Sequence, residues 1–131
     1  MFKGIIINDT NVTANQNLPF DVMRNTNANT RYDSTTNEIV ITKPGYYDVM
    51  ATIVASSVAG GTVTAQLYAN GRAVPGALST EVIDATGTTT FVIIDNVKVD
   101  PSPVNEYANI SIRFSAEITV NDANILVEMR K

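Results

Sequence analysis

Cysteine and histidine are both absent from these 131 residues. Without cysteine there is no disulfide framework, no thiolate metal site and no thiol nucleophile. Without histidine the commonest general base is missing, and with it the usual Ser–His and Cys–His pairs. Lys43, Lys98 and Lys131 show no Ser-x-x-Lys spacing, and no glycine-rich phosphate loop leads from a strand into a helix. Positive charge is scarce as well. Nine basic residues face thirteen acidic ones for a net charge of −4, and no Lys/Arg cluster occurs. A binder of the phosphate backbone needs clustered cations, so nucleic acid is not an expected partner. The N-terminal apolar run, Ile5 to Ile7, is followed by Asn8 and Asp9. It is too short for a signal-peptide core or a bilayer span. The expectation is a protein that is cytosolic, assembled in the cytosol, or exported by a route the sequence does not show, with no membrane insertion.

What the chain does have is period-two alternation. Its length suits one domain, residues 1–131, whose folding removes roughly two-thirds of the unfolded surface from water. From Glu106 to Val120, Ala108, Ile110, Ile112, Phe114, Ala116 and Ile118 alternate with polar residues as in one half-buried strand. Val63, Ala65 and Leu67 repeat the pattern before Asn70-Gly71, a two-residue hairpin turn. Ile39 and Ile41 alternate with Glu38, Val40 and Thr42, and Pro44-Gly45 then turns the chain into Tyr47, Val49, Ala51 and Ile53. Further strands are expected at Lys3–Asn8, Leu18–Met23, Leu78–Ile83, Thr88–Val99 and Ala123–Arg130. Turn signals recur about every ten residues, Pro75-Gly76 and Asn121-Asp122 among them. That rhythm predicts an all-β, antiparallel two-sheet sandwich or barrel, with Tyr47, Val49, Ile53, Ile112 and Phe114 in its core.

Some strands are apolar on both faces. Met50 and Val54 lie opposite the Tyr47/Val49 row, and Val92 and Ile94 lie opposite Phe91 and Ile93. An isolated sandwich presents water to its outer faces. Two readings stay open: these residues sit under loops or at strand ends, or Met50, Val54, Val92 and Ile94 form a subunit interface.

The stretch Tyr32 to Val49, with Tyr32, Asp33, Thr36, Ile39, Ile41, Pro44, Gly45, Tyr47 and Val49, resembles the opening motif of the jelly-roll heads shared by tumour necrosis factor and the globular domain of the first complement component. The strand before the Asn-rich loop and the later "QLYANGRAV" resemble the family's layout too. The chain departs from the family at Thr36-Asn37, where Asn takes the left-handed place of Gly, at "VDPSPVNEYANI", and in having neither the complement heads' cysteine nor a collagen-like stalk. The resemblance implies a jelly roll and, for a bare head of the bacterial or bacteriophage type, a homotrimer. Trimer packing would cover the two-sided strands.

Site chemistry is thin. Asp48, Asp84, Asp95, Asp100, Glu106 and Glu117 could supply a carboxylate pair for glycan cleavage, although isolated loop and edge carboxylates are the simpler account. Only oxygen ligands are on offer, which favours calcium over a transition metal. Asp95, Asp100 and Glu106, with Asn96, Asn105 and Asn121-Asp122, are the candidate ligands, yet no spaced calcium-loop motif is present. No other cofactor is expected. Tyr32, Tyr46, Tyr68 and Tyr107 could line a carbohydrate surface or serve only as amphipathic strand residues. The Asn-x-Ser/Thr sites at Asn8, Asn11 and Asn109 read as chance.

The absent catalytic set and secretion signal point to a non-enzymatic, self-assembling module, and the resemblance implies that it belongs to a phage or prophage virion, such as a head fibre or decoration knob, with other virion proteins as neighbours. The alternatives are a receptor- or glycan-binding head on a tail fibre or bacterial cell surface, using loops such as Ala69–Pro75 and Asp100–Asn105, and a carboxylate-dependent glycan-cleaving enzyme.

Overall fold

The computed structural model describes residues 1–26, 28–57, 59–85, 87–100 and 108–130. The strands in chain order are β1 (Phe2–Ile6), β2 (Thr10–Val12), β3 (Val22–Asn25), β4 (Thr30–Asp33), β5 (Glu38–Ile41), β6 (Gly45–Ser56), β7 (Gly61–Ala69), β8 (Arg72–Ile83), β9 (Thr88–Val99), β10 (Ala108–Phe114) and β11 (Ile118–Met129). One sheet runs β3-β1-β11-β6-β9, with β2 also on β11; the other runs β4-β5-β10-β7-β8. Every ladder is antiparallel. The chain changes sheet from β3 to β4, from β5 to β6, from β6 to β7, from β8 to β9, from β9 to β10 and from β10 to β11. This is a jelly-roll sandwich.

The core lies between the sheets. In β6, Tyr47, Val49, Ala51, Ile53 and Ala55 are buried while the residues between them are exposed or half-buried. Ile112 and Phe114 of β10 face them, and Phe91 meets Phe114 edge-on with ring centroids 5.7 Å apart. That contact ties one sheet to the other. Each such large buried side chain contributes about 1.5–3 kcal/mol of hydrophobic stabilisation. The Tyr47 hydroxyl donates to the Lys43 carbonyl at 2.7 Å, so its buried polar end is satisfied.

The structure corrects several expectations. The Glu106–Val120 run is two strands, β10 and β11, in different sheets. Ala116 and Ile118 keep the alternation across the corner because the chain changes sheet without turning its apolar side away from the core. Asn121-Asp122 is a bulge inside β11, where the register against β6 slips between Val120 and Asp122. The extra residue lets Val120 and Ala123, three positions apart, both face inward. Pro75-Gly76 likewise bulges β8. Gly76 has φ 80, and the Gln66 side-chain amide donates to the carbonyls of Val74 (2.9 Å) and Ala77 (3.1 Å). Leu18 and Phe20 are buried but lie outside any strand. The Leu18 N–H donates to Ile112 of one sheet and the Asp21 N–H to Ile5 of the other, so this segment bridges the sheets. Val40, expected on the solvent side, is buried between its ladder partners Arg31 and Asn109.

Other local features agree with the sequence. Asn70 and Gly71, φ 53 and 77, close the two-residue β7–β8 hairpin, as a mirror-image turn requires. Asn37 adopts φ 57, and its side-chain carbonyl accepts the Tyr32 hydroxyl at 2.9 Å. The Tyr32 oxygen in turn accepts the Phe20 N–H at 3.0 Å, and its ring packs on Phe2 and Phe20.

Candidate functional site

Alternation places every second residue of β1, β11, β6 and β9 on the outside of the six-stranded sheet. Register then aligns them. One cross-strand row reads Lys3, Leu126, Met50, Ile94, and the next reads Ile5, Asn124, Thr52, Val92. Ile94 is 68% exposed, Val92 49% and Met50 45%, and Leu126 is half-buried beside them. Val54 lies one row further out, flanked by Asp122 and Thr90, and is half-buried. The patch therefore centres on Leu126, Met50, Ile94 and Val92, with Val54 at its margin. Leu126 was missing from the expected set, although its outward position follows from the alternation of Ala123, Ile125 and Val127.

A hollow of about 450 Å³ opens at one end of this face, between the apolar row and Asp48, Asn96, Glu128 and Arg130. Asp48 accepts from the Asn96 amide at 3.0 Å and from Arg130 Nη2 at 2.9 Å. The Asn96 hydrogen bond first, and the Arg130 cation beside it, hold the Asp48 carboxyl below its ordinary range. Asp48 is thus an ionised acceptor, the opposite of what a general acid needs.

The remaining carboxylates are dispersed. Asp95 Oδ1 accepts the Asn96 N–H at 2.7 Å, Asp100 pairs with Lys98 at 3.5 Å in the open, and Glu117 accepts from Asn11 at 3.1 Å. Among the described residues no three Asp or Glu side chains come together in a way that could hold a metal ion. Glu106, Asn105 and Tyr107 lie outside the described residues, as does most of the Asp100–Asn105 loop.

The tyrosines separate by role. Tyr32 is a structural strut, and burial raises its hydroxyl pKa above the usual 10.0. Tyr46 is exposed near Lys98 on the six-stranded sheet. Tyr68 lies on the outer face of the other sheet, under the Arg113 guanidinium.

No protein-family model matches the chain, and no curated protein matches its sequence. Its jelly-roll fold is similar to that of solved tumour necrosis factor-like and complement C1q-type domains. Eiger TNF from S. frugiperda superposes with a TM-score of 0.71 at 8% identity, covering 98% of this chain and 92% of that one. The globular domain of zebrafish complement 1qA gives 0.66 at 10% identity over 99% and 98%. Murine APRIL gives 0.64 at 8% identity over 98% and 98%. The whole fold is shared while little of the sequence is.

Proposed function

We propose that this chain is a non-enzymatic module that assembles as a homotrimer through the outer face of its six-stranded sheet and presents the five-stranded sheet outward. The observation that carries the reading is the exposed row of Leu126, Met50 and Ile94, with Val92 beside it, on the face of an otherwise complete sandwich. Contiguous apolar surface of this kind marks a contact between proteins. The Asp48, Arg130 and Lys3 positions around it supply a polar rim. The non-enzymatic part of the reading is supported by the absence of histidine and cysteine and by the ionised state of Asp48. Calcium has no part in this proposal.

The setting we propose is a particle or cell surface, with a bacteriophage or prophage virion ahead of a bacterial cell surface. Its support is the resemblance of Tyr32–Val49 to the jelly-roll heads of the tumour necrosis factor and complement type, within which we place the chain among the bacterial and bacteriophage forms. Mass spectrometry of purified particles would detect the chain at stoichiometric amounts if it is a virion part, and its absence from them would remove that setting.

Light scattering after size exclusion tests the assembly. The chain is expected at three times the 14.1 kDa protomer mass, and a 14.1 kDa species at every concentration would contradict trimer formation.

A further inference from the structure

The outer face of the five-stranded sheet holds a cation prepared for a ligand. Arg113 on β10 is the ladder partner of Gln66 on β7, and Tyr68 is its diagonal neighbour on the same face. The guanidinium carbon sits 4.4 Å from the Tyr68 ring centroid, a cation–π geometry. Nε of Arg113 donates to Asn17 Oδ1 at 2.8 Å. Asn17 is itself anchored, its amide donating to the Thr36 carbonyl at 3.0 Å. The ring contact and the Nε bond together restrain the guanidinium and leave its two terminal nitrogens as the available fork. Among the described residues no carboxylate pairs with it. Next to it lies a hollow of about 170 Å³, bordered by Asn15, Thr64, Gln66, Tyr68 and Ser115. Its rim is hydroxyl and amide, with the exposed Leu78 as Gln66's partner on the far side.

We propose that this hollow binds one carboxylated sugar residue of an acidic polysaccharide, the carboxylate on the free fork of Arg113 and the ring hydroxyls on the surrounding hydroxyl and amide groups. A guanidinium takes a carboxylate through two parallel N–H bonds. The Gln66 N–H groups are already given to Leu67, Val74 and Ala77, so the Gln66 side-chain carbonyl, the Ser115 O–H and the Thr64–Thr80 hydroxyl pair are the groups left to meet sugar hydroxyls. A singly charged anion suits the hollow, which offers one cation on a chain of net charge −4, and the planar carboxylate is the one whose two oxygens match the guanidinium fork. Apolar carbon of the Tyr68 ring at the hollow's border suits the C–H face of a sugar. The site lies within one protomer, and its display rests on the reading that the five-stranded sheet faces outward.

The test is titration of the ¹⁵N-labelled chain with digalacturonate, followed by amide shifts, with galactobiose as the neutral counterpart and a tetra-aspartate peptide as a non-sugar carboxylate. Saturable shifts confined to 64–68 and 113–115 are expected. Galactobiose, Arg113→Gln and Arg113→Lys should each weaken binding by roughly tenfold or more, the lysine because a point charge cannot replace the fork. No saturable shift with digalacturonate, equal binding of galactobiose, equal binding of tetra-aspartate, or full retention in Arg113→Lys would each overturn the proposal. Mass measured on the same samples separates the two readings: a monomer that still shows the shifts contradicts only the assembly, and a trimer without them contradicts only the sugar site.

Discussion

The two outer faces of this sandwich are built from the same alternation and end up chemically opposite. On the six-stranded sheet the outward positions at the centre are Leu126, Met50, Ile94 and Val92. On the five-stranded sheet the matching central positions are Thr64, Gln66, Tyr68, Ser111 and Arg113. The polar groups there are already engaged with one another: Thr64 with Thr80 at 2.8 Å, Gln66 with the β8 bulge, and Arg113 with Tyr68 and Asn17. One face gains by losing water and the other is organised to keep it or to exchange it for a polar ligand. On the proposed reading, a fold made of two similar sheets separates assembly from display.

The comparison breaks most completely if the shared core is damaged. Phe114→Ala removes the ring that meets Phe91 between the sheets and should cost about 3–5 kcal/mol, read as a large loss in chemical-denaturation midpoint, with both faces lost together. Retained stability would mean that the sheets do not depend on that contact.

A sharper cut uses one charge on each face. Ile94→Asp is expected to reduce the solution mass to that of the protomer while the circular dichroism spectrum stays that of a β sandwich. Leu78→Asp, at an exposed apolar position on the other sheet, should leave the mass unchanged. If both substitutions dissociate the assembly, or neither does, the faces are not specialised as described.

Tyr32→Phe touches neither outer face. It deletes the hydroxyl that links Asn37 to the Phe20 N–H and should cost about 1–2 kcal/mol with mass unaltered. An unchanged melting temperature would show that this strut carries no load.

The smallest effects follow from pH. Burial raises the hydroxyl pKa of Tyr32 and of Tyr47 above 10.0, so the folded state holds those protons more tightly than the unfolded chain does. The stability this represents is complete below pH 10 and is lost as pH rises above it. At Asp48 the sign is reversed: its depressed pKa contributes stability that is present above the ordinary carboxylate range and lost as pH falls through the folded value. With no histidine in the chain, the melting temperature should be level from pH 6 to 8, a span in which histidine would otherwise titrate. A marked slope there would contradict this picture.

The inward face was legible in the sequence because burial repeats at every second residue. Tyr47, Val49, Ile53, Ile112 and Phe114 are all buried, and the motif around Tyr32 and Asn37 pointed to the jelly roll. The bulges were not legible, since Asn-Asp and Pro-Gly are residues of turns and bulges alike, and only the neighbouring strand decides which forms. The Arg113 cluster was out of reach for another reason. Tyr68 was noticed as an aromatic, yet Asn17 and Arg113 are 96 positions apart, and their pairing depends on how the 13–21 segment crosses between the sheets. Local alternation says which way a side chain points. It does not say which residue waits for it there.

Because the chain has no native cysteine, thiol labelling can address each face singly. The most direct measurement is the rate at which a small thiol reagent modifies Val92→Cys and, separately, Leu78→Cys in the native protein. The account predicts slow labelling at Val92→Cys, rising to the unfolded rate when the assembly is diluted apart, and fast labelling at Leu78→Cys throughout. Equal and fast labelling at both positions would contradict it.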